Sequence, residues 1–266
     1  MLPRHFRSTA NVPAGIEEAG WHALRASGSA QMGGAALRAL AANTHGPLVV
    51  VDLREESHGF LGDLPVSWYA PRNAGNRGRT REATLAEESR LLDSLRRRES
   101  LAFDGQGKDR GPPEPERPIA AFGTARTEES ICTEAGAGHA RLLVTDHHGP
   151  DAGEIDHFVA LLERLPDGAW VHYHCRGGRG RTSTFLLLHD LLRNAGRLPF
   201  SVIAHRQRVL SEGYDLLAHG EPADWKTPLR RARAEIVRAF AEFVRERAVG
   251  GNQRFTEWLG ARQETR

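Results

Sequence analysis

Cysteine, methionine and lysine are each nearly missing from these 266 residues, with two of each. Cys132 and Cys175 are too few for a disulfide scaffold, so an apolar core must hold the chain together. At this length a core of sufficient size is available. No run approaches the apolar length of a membrane span, which excludes an integral membrane segment. The opening Met1–Phe6 has no apolar stretch of signal-peptide type. A leader trimmed beforehand would leave no trace, so cytoplasmic and exported locations both stay open. An excess of either charge is lacking too: 36 basic against 34 acidic residues give a net charge of +2, so no global field for nucleic acid is expected. With Lys108 and Lys226 the only lysines, 34 of the 36 basic residues are arginine, and a single arginine is therefore weak evidence of function. What is present is ordinary for a globular protein of one large or two small domains: 39% hydrophobic and 26% charged residues.

Short apolar, β-rich runs alternate with helical patterns, which predicts an α/β fold. Leu48–Leu53, Arg141–Thr145 and Trp170–Tyr173 read as strands. Between the last two, Asp151 caps a predicted helix with Ile155, Phe158, Val159 and Leu162 on one face, ending before Pro166. Thr184–Arg193 reads as an apolar helix closed by Gly196 as a C′ glycine. Thr227-Pro228 opens a long helix with Ile236, Phe240, Phe243 and Val244 as its buried stripe. Residues 62–127 differ. They hold a predicted helix with Leu85, Leu92 and Leu95 on one face, then a stretch from Gly105 to Pro118 rich in glycine, proline and charge. A structureless loop that long is unusual inside a compact domain, so 62–127 reads as a small subdomain inserted into a frame made of 1–61 and 128–266.

The chemistry concentrates in Trp170-Val171-His172-Tyr173-His174-Cys175-Arg176-Gly177-Gly178-Arg179-Gly180-Arg181-Thr182-Ser183-Thr184-Phe185. A strand delivers a cysteine, five small or basic residues follow, then an arginine, then a helix. C-x5-R spacing alone is common in so arginine-rich a chain; its context sharpens it. Gly177, Gly178 and Gly180 let successive N–H groups turn inward as an anion cradle. The helix N-terminus favours phosphate, and Arg181 can clamp two phosphate oxygens through its fork. The same field activates Cys175: a free thiol near pKa ~8.5 is brought to roughly 3.5–7.5 by helix N-termini and nearby cations. Thr182 can donate to the sulfur. Cys175 is thus a candidate thiolate, placed to attack phosphorus. A plain core cysteine does not fit, since a core rejects Arg176, Arg179 and Arg181 within six residues. The Gly-Lys-Ser/Thr ending of a nucleotide loop is absent. A zinc site from His147, His148, His172, His174 and Cys175 lacks a Cys-x2-Cys partner, so no metal is assigned.

These residues resemble the H-C-x5-R-S/T signature of the protein-tyrosine-phosphatase superfamily. Within it, the chain looks most like the bacterial protein-tyrosine-phosphatase-like phytases. The likeness takes in Leu2–Arg7, Ser27–Gln31, Asp52-Leu53-Arg54-Glu55-Glu56-Ser57-His58-Gly59-Phe60, Val66–Tyr69, Thr145-Asp146-His147, the cysteine loop and Asp224-Trp225-Lys226-Thr227. It implies a central sheet flanked by helices and a small inserted β-containing subdomain. It also implies hydrolysis of inositol polyphosphates such as phytate through a phosphocysteine, with no metal or organic cofactor.

By this resemblance Asp146 is the general acid, with His147 beside it at the substrate, and Arg54 contacts a substrate phosphate. Lys226 faces the site from a helix entry, and Lys108 and Arg110 supply a basic pair from the insertion. Glu56 and His58 support the arginine, whereas Arg230, Arg231 and Arg233 read as a solvated helix face. Relatives often carry an aromatic residue three positions after the acid; here it is Gly149, which removes that anchor from the acid loop. Arg176 and Arg179 stand where the phytase-like relatives have an acidic and an aliphatic residue. Lipid phosphatases resembling the phosphatase and tensin homologue carry basic residues there. Each added cation can pair with a further phosphate, which favours an inositol polyphosphate or phosphoinositide head group over phosphotyrosine. A phosphotyrosine or phosphoinositide phosphatase is the alternative enzyme, and an inactive phosphate-binding module the alternative of another class. Oligomeric state is left open.

Overall fold

The computed structural model describes residues 2–98, 100–101, 119–120, 124–218 and 220–264. Its strands are β1 (Arg7–Ser8), β2 (Ala26–Ala30), β3 (Leu48–Asp52), β4 (His58–Leu61), β5 (Leu64–Ser67), β6 (Ser100–Leu101), β7 (Ile119–Ala120), β8 (Ala125–Arg126), β9 (Gly138–Arg141) and β10 (Trp170–Cys175). Its α-helices are α1 (Gly34–Ala42), α2 (Arg81–Arg96), α3 (Glu128–Glu134), α4 (Ala152–Glu163), α5 (Gly180–Asn194), α6 (Phe200–Leu210), α7 (Thr227–Ala248) and α8 (Phe255–Glu264).

Five strands form the central sheet in the order β1-β2-β10-β3-β9. β10 lies in the middle, parallel to β2 and β3, and β3 runs parallel to β9. Alternation along the strands divides the core in two. Val51, Val171 and Tyr173 pack with Phe158, Phe185, Phe240 and Phe243 of α4, α5 and α7. On the other face Leu48 and Val50 pack with Leu37 of α1 and with Ile131 and Cys132 of α3. The α/β architecture expected from the sequence, a central sheet flanked by helices, is the one observed.

From 62–127, β5 and β8 both pair with β4, which immediately precedes that stretch, in a separate antiparallel sheet, against which Leu92 of α2 is buried beside Leu61 and Ala125. Lys108 and Arg110 fall outside the described residues.

Several boundaries differ from expectation for physical reasons. The strand expected at Arg141–Thr145 is β9 at Gly138–Arg141. Leu142 and Val144 are buried as their apolar character requires, but β3 ends at Asp52 and leaves them only isolated bonds, such as Leu142 N–H to Asp52 O. Helix α5 starts at Gly180, four residues early, so Arg181 and Thr182 occupy its first turn. Gly196 follows its end without a left-handed φ, because the chain continues in turns with the Arg197 and Leu198 N–H groups both on Asn194 O. Asp151 does cap α4, its Oδ1 accepting from Glu154 N–H at 2.8 Å. Thr227 lies inside α7 with Lys226 as the cap, and Val237 takes the fully buried place expected of Ile236. Leu85 of α2 faces outward at 37% exposure, so Leu92 alone anchors that face completely.

Candidate active site

The central strand β10 ends on Cys175, whose Cα pairs with Ala30 of β2. The chain then folds tightly back to enter α5. Gly178 makes this possible: its φ is +72°, and a Cβ there would lie 2.3 Å from the Ala30 backbone nitrogen. Only glycine combines that backbone with so close an approach. The Gly178 N–H consequently donates to Cys175 Sγ at 3.2 Å, and Thr182 Oγ1 donates to the same sulfur at 3.2 Å. Two donors thus converge on the sulfur. From outside, Arg7 Nη1 donates to Gly178 O at 2.7 Å and its Nη2 to Ser183 Oγ at 2.8 Å, pinning loop to helix.

Arg181 is 2% exposed, yet it lines the hollow above Cys175. Glu56 receives its fork, Nη1 to Oε2 at 2.6 Å and Nη2 to Oε1 at 2.9 Å, while Nη1 also donates to Val144 O at 2.9 Å. Burial opposes charge on both partners, but each holds the other ionised. Glu56 sits well below the usual carboxylate range through Arg181 and Arg54, and Arg181 is raised above its usual value by Glu56. The expected supporting role of Glu56 is thus a direct bidentate clamp.

Asp146 also lines the hollow, with Oδ1 3.2 Å from Arg181 Nη2. Asn73 Nδ2 donates to its Oδ2 at 2.8 Å, and the His147 backbone N–H donates to Oδ1 at 3.0 Å. Burial would raise its pKa, but Arg181, the Asn73 hydrogen bond and His147 hold it below its ordinary value. Gly149 shows why no aromatic residue stands there: a Cβ would meet Arg233 Cα and Ile236 Cγ2 of α7 at 3.1 Å. The aromatic support comes instead from Trp225, edge-on to the His147 ring at 5.2 Å.

The hollow encloses about 600 Å³. Besides Arg181, its basic groups are Arg4, Arg176, Arg179, Lys226, Arg230 and Arg233; Gly177, Gly180, His147, Tyr69 and Tyr214 complete much of the wall. Arg230 is paired with Asp224 at 3.0 Å. Among the described residues no carboxylate lies within ion-pair distance of Arg4, Arg176, Arg179, Lys226 or Arg233. The result is a pocket with a marked excess of positive charge around one sulfur.

Two expectations are corrected. Arg54 does not line the hollow: it is 1% exposed, and its guanidinium donates to Glu56 at 3.0 Å, Gln31 at 2.8 Å and Ser67 at 2.7 Å. Its fork is consumed by the wall behind Arg181. The solvated helix face of α7 holds only for Arg231, since Arg230 and Arg233 line the hollow and Arg233 is 3% exposed. The spacing Lys226, Arg230, Arg233 (i, i+4, i+7) is a helical stripe and was a legible signal. Arg4 and Tyr69, which lie inside segments of the resemblance but were given no role, also join, as do Asn73 and Tyr214, which lie outside them. Of the histidines weighed for zinc, His147 lines the hollow with Cys175, but His172 and His174 do not. His172 and His174 point to the opposite face of β10, His172 bonding Ser27 and Ser29 and His174 lying 2.6 Å from Glu128.

Known proteins share this arrangement. Residues 51–193 match the model of the PTP-like phytase family, described by the words inositol hexakisphosphate. The chain is 30% identical over 273 residues to the effector protein hopD2 of Pseudomonas syringae pv. tomato, covering 96% of this chain and 57% of that protein. It is similar to the PTP-like myo-inositol phosphatase from Mitsuokella multacida, solved in complex with myo-inositol-(1,3,4,5)-tetrakisphosphate. There the TM-score is 0.90 at 28% identity, over 99% of this chain and 46% of that one. A PTP-like phytase from Bdellovibrio bacteriovorus gives a TM-score of 0.79 at 34% identity, over 97% and 89%. The chain thus spans about half the length of the first two relatives and most of the third. With over half its residues inside the family match, the chain belongs to the protein-tyrosine-phosphatase-like phytase family.

Proposed function

We propose that this chain hydrolyses inositol polyphosphates through a phosphocysteine intermediate. The observation that carries the reading is the Cys175 sulfur, held by the Gly178 N–H and Thr182 hydroxyl at the base of a hollow whose cations mostly lack carboxylate partners among the described residues. A substrate phosphate seats against the loop amides and Arg181. Sulfur attacks phosphorus, the S–P bond forms, the P–O ester bond breaks, and Asp146 gives its proton to the departing oxygen. Asp146, now a carboxylate, takes a proton from water. That water attacks phosphorus, the S–P bond breaks, and inorganic phosphate leaves. This sequence needs neither metal ion nor organic cofactor.

Arg4, Arg176, Arg179, Lys226 and Arg233 support a highly phosphorylated substrate, because further phosphates can pair with cations that have no carboxylate partner among the described residues. The test is a panel on the purified chain: phytate, a phosphoinositide head group, a phosphotyrosine peptide and an activated aryl phosphate, each with and without chelator. Phytate should give the highest kcat/KM, unchanged by chelator. Preference for the phosphopeptide would move the substrate class to phosphotyrosine, and loss of turnover on chelation would end the metal-free mechanism. Cys175→Ser should abolish turnover while retaining inorganic phosphate binding, since the amides and Arg181 remain. An active Cys175→Ser enzyme would remove Cys175 as nucleophile.

A further inference from the structure

Asn73 belongs to none of the motifs that identify the site, yet it joins two of its parts. It is 5% exposed, and its side chain bridges a cation and an anion: Oδ1 accepts from Arg176 Nη1 at 3.1 Å while Nδ2 donates to Asp146 Oδ2 at 2.8 Å. An amide suits this place because a guanidinium can only donate and a carboxylate can only accept. That requirement also fixes which way the amide faces.

The backbone around this bridge is strained. Arg72 and Asn73 are consecutive non-glycine residues with φ of +58° and +54°, and His147, next to Asp146, has φ of +68°. Left-handed residues cost roughly 1–2 kcal/mol each, with asparagine the better tolerated, and such outliers persist only where surrounding contacts impose them. Here both loops rest on Trp225: the Arg72 guanidinium lies 4.5 Å from its ring centre, and the His147 ring meets it edge-on. Both left-handed segments therefore bear on Asp146, one through Asn73 Nδ2 and the other through the His147 N–H.

We propose that Asn73 is a positioning residue that orients the proton donor, tying Asp146 to the cysteine loop through Arg176. This rests on the reading of Asp146 as the general acid. Asp146 Oδ1 faces the His147 N–H and Arg181 Nη2, while Oδ2 accepts from Asn73 Nδ2 and lies 3.6 Å from His147 Nε2, so Asn73 helps to fix the plane in which the carboxyl presents its proton. The charged and titratable groups facing this carboxyl are Arg181 from α5, Glu56 from the loop after β3, and His147 on its own loop; Arg176 and Lys226 share the hollow.

The test compares Asn73→Gly, Asn73→Asp and Asp146→Asn in kcat/KM, which reports formation of the phosphocysteine alone, across pH. Glycine keeps the left-handed backbone free of strain and removes only the amide. Two substrates are used: phytate, whose alkoxide leaving group needs the proton, and an activated aryl phosphate, whose leaving group does not. Asn73→Gly should lower kcat/KM on phytate about tenfold or more and on the aryl phosphate by less than about threefold, as loss of one hydrogen bond to a charged group predicts. In Asn73→Asp a second carboxylate beside Asp146 favours its protonated form, so activity lost on deprotonation of the acid persists to higher pH than in the parent. Equal losses of Asn73→Gly on both substrates, or an unmoved basic limb in Asn73→Asp, would reduce Asn73 to a structural residue while Asp146 keeps its role. If Asp146→Asn itself impairs both substrates equally, the acid assignment falls and this inference falls with it.

Discussion

Two arginines separated in sequence show how a role is decided by where the packed chain places a guanidinium. Arg54 and Arg181 both bind Glu56, but Arg54 also donates to Gln31 and Ser67 away from the hollow, whereas Arg181 borders it. Arg54 therefore acts by holding Glu56 in place beneath Arg181. Removing it leaves a buried carboxylate short of a partner, a change that costs about 3–5 kcal/mol in comparable pairs. Arg54→Ala is expected to lower kcat/KM on phytate and on an aryl phosphate by similar factors, together with a lower Tm. A loss confined to phytate would instead make Arg54 a direct contact of the ring phosphates.

At the level of elements, the site is the junction of β10 with α5, and its tolerance is set by the neighbouring strand. The loop lies so close to β2 that a methyl group on Gly178 would have to displace backbone rather than a flexible side chain. Gly178→Ala should abolish phytate turnover, because the loop must withdraw and carry the Gly178 N–H away from Cys175 Sγ. Activity within about twofold of the parent would show that the loop amide is dispensable, contrary to the anion-cradle argument. The same crowding explains Gly149, where α7 occupies the space that an aromatic side chain would need. Helix α7 and its cap in turn bring Lys226, Arg230 and Arg233 to the hollow at intervals of about one turn, so its docking sets the charge of the hollow as well as core packing.

Across the whole molecule, the face of the sheet opposite Cys175 holds a buried charge cluster. His58 Nε2 lies 3.0 Å from Asp52 Oδ2 and 3.4 Å from Glu128 Oε2; Arg141 Nε lies 3.1 Å from Asp52 Oδ2 and also pairs with Glu88. This cluster joins β3, β4, β9 and α3, so it ties the central sheet to the smaller one. Burial and Arg54 oppose charge on His58, but Asp52 outweighs them by charge and hydrogen bond, and the pKa rises to about 9. A folded value above the unfolded 6.5 means that the folded protein holds the proton more tightly. This contribution is fully present below pH 6.5 and lost as pH rises through 9. It amounts to roughly 3 kcal/mol at most. The urea midpoint of the parent should therefore fall between pH 7 and 9 by more than that of His58→Gln, measured at equal ionic strength. Parallel pH profiles would show that His58 is neutral in the folded state.

The order of residues by itself determined the cysteine loop, the helix that receives it and the α/β class. These depend on contacts within a few positions: a β-rich run, glycines that permit inward amides, an arginine one turn into a helix, apolar residues at helical spacing. Position 175 with 181 and 182 needed no knowledge of distant partners. What only the tertiary structure decided is how charge is shared over long separations. Glu56 joins Arg54 and Arg181 in one buried network, of which Arg181 alone borders the hollow; Arg4 and Arg233 arrive from opposite ends of the chain; Asn73 reaches Asp146 across 73 positions. An arginine reads the same in sequence whether it is solvated, buried in an ion pair or aimed at a phosphate. Its role follows from which acceptors the packed chain sets within about 3 Å of its guanidinium, and local pattern carries no record of that.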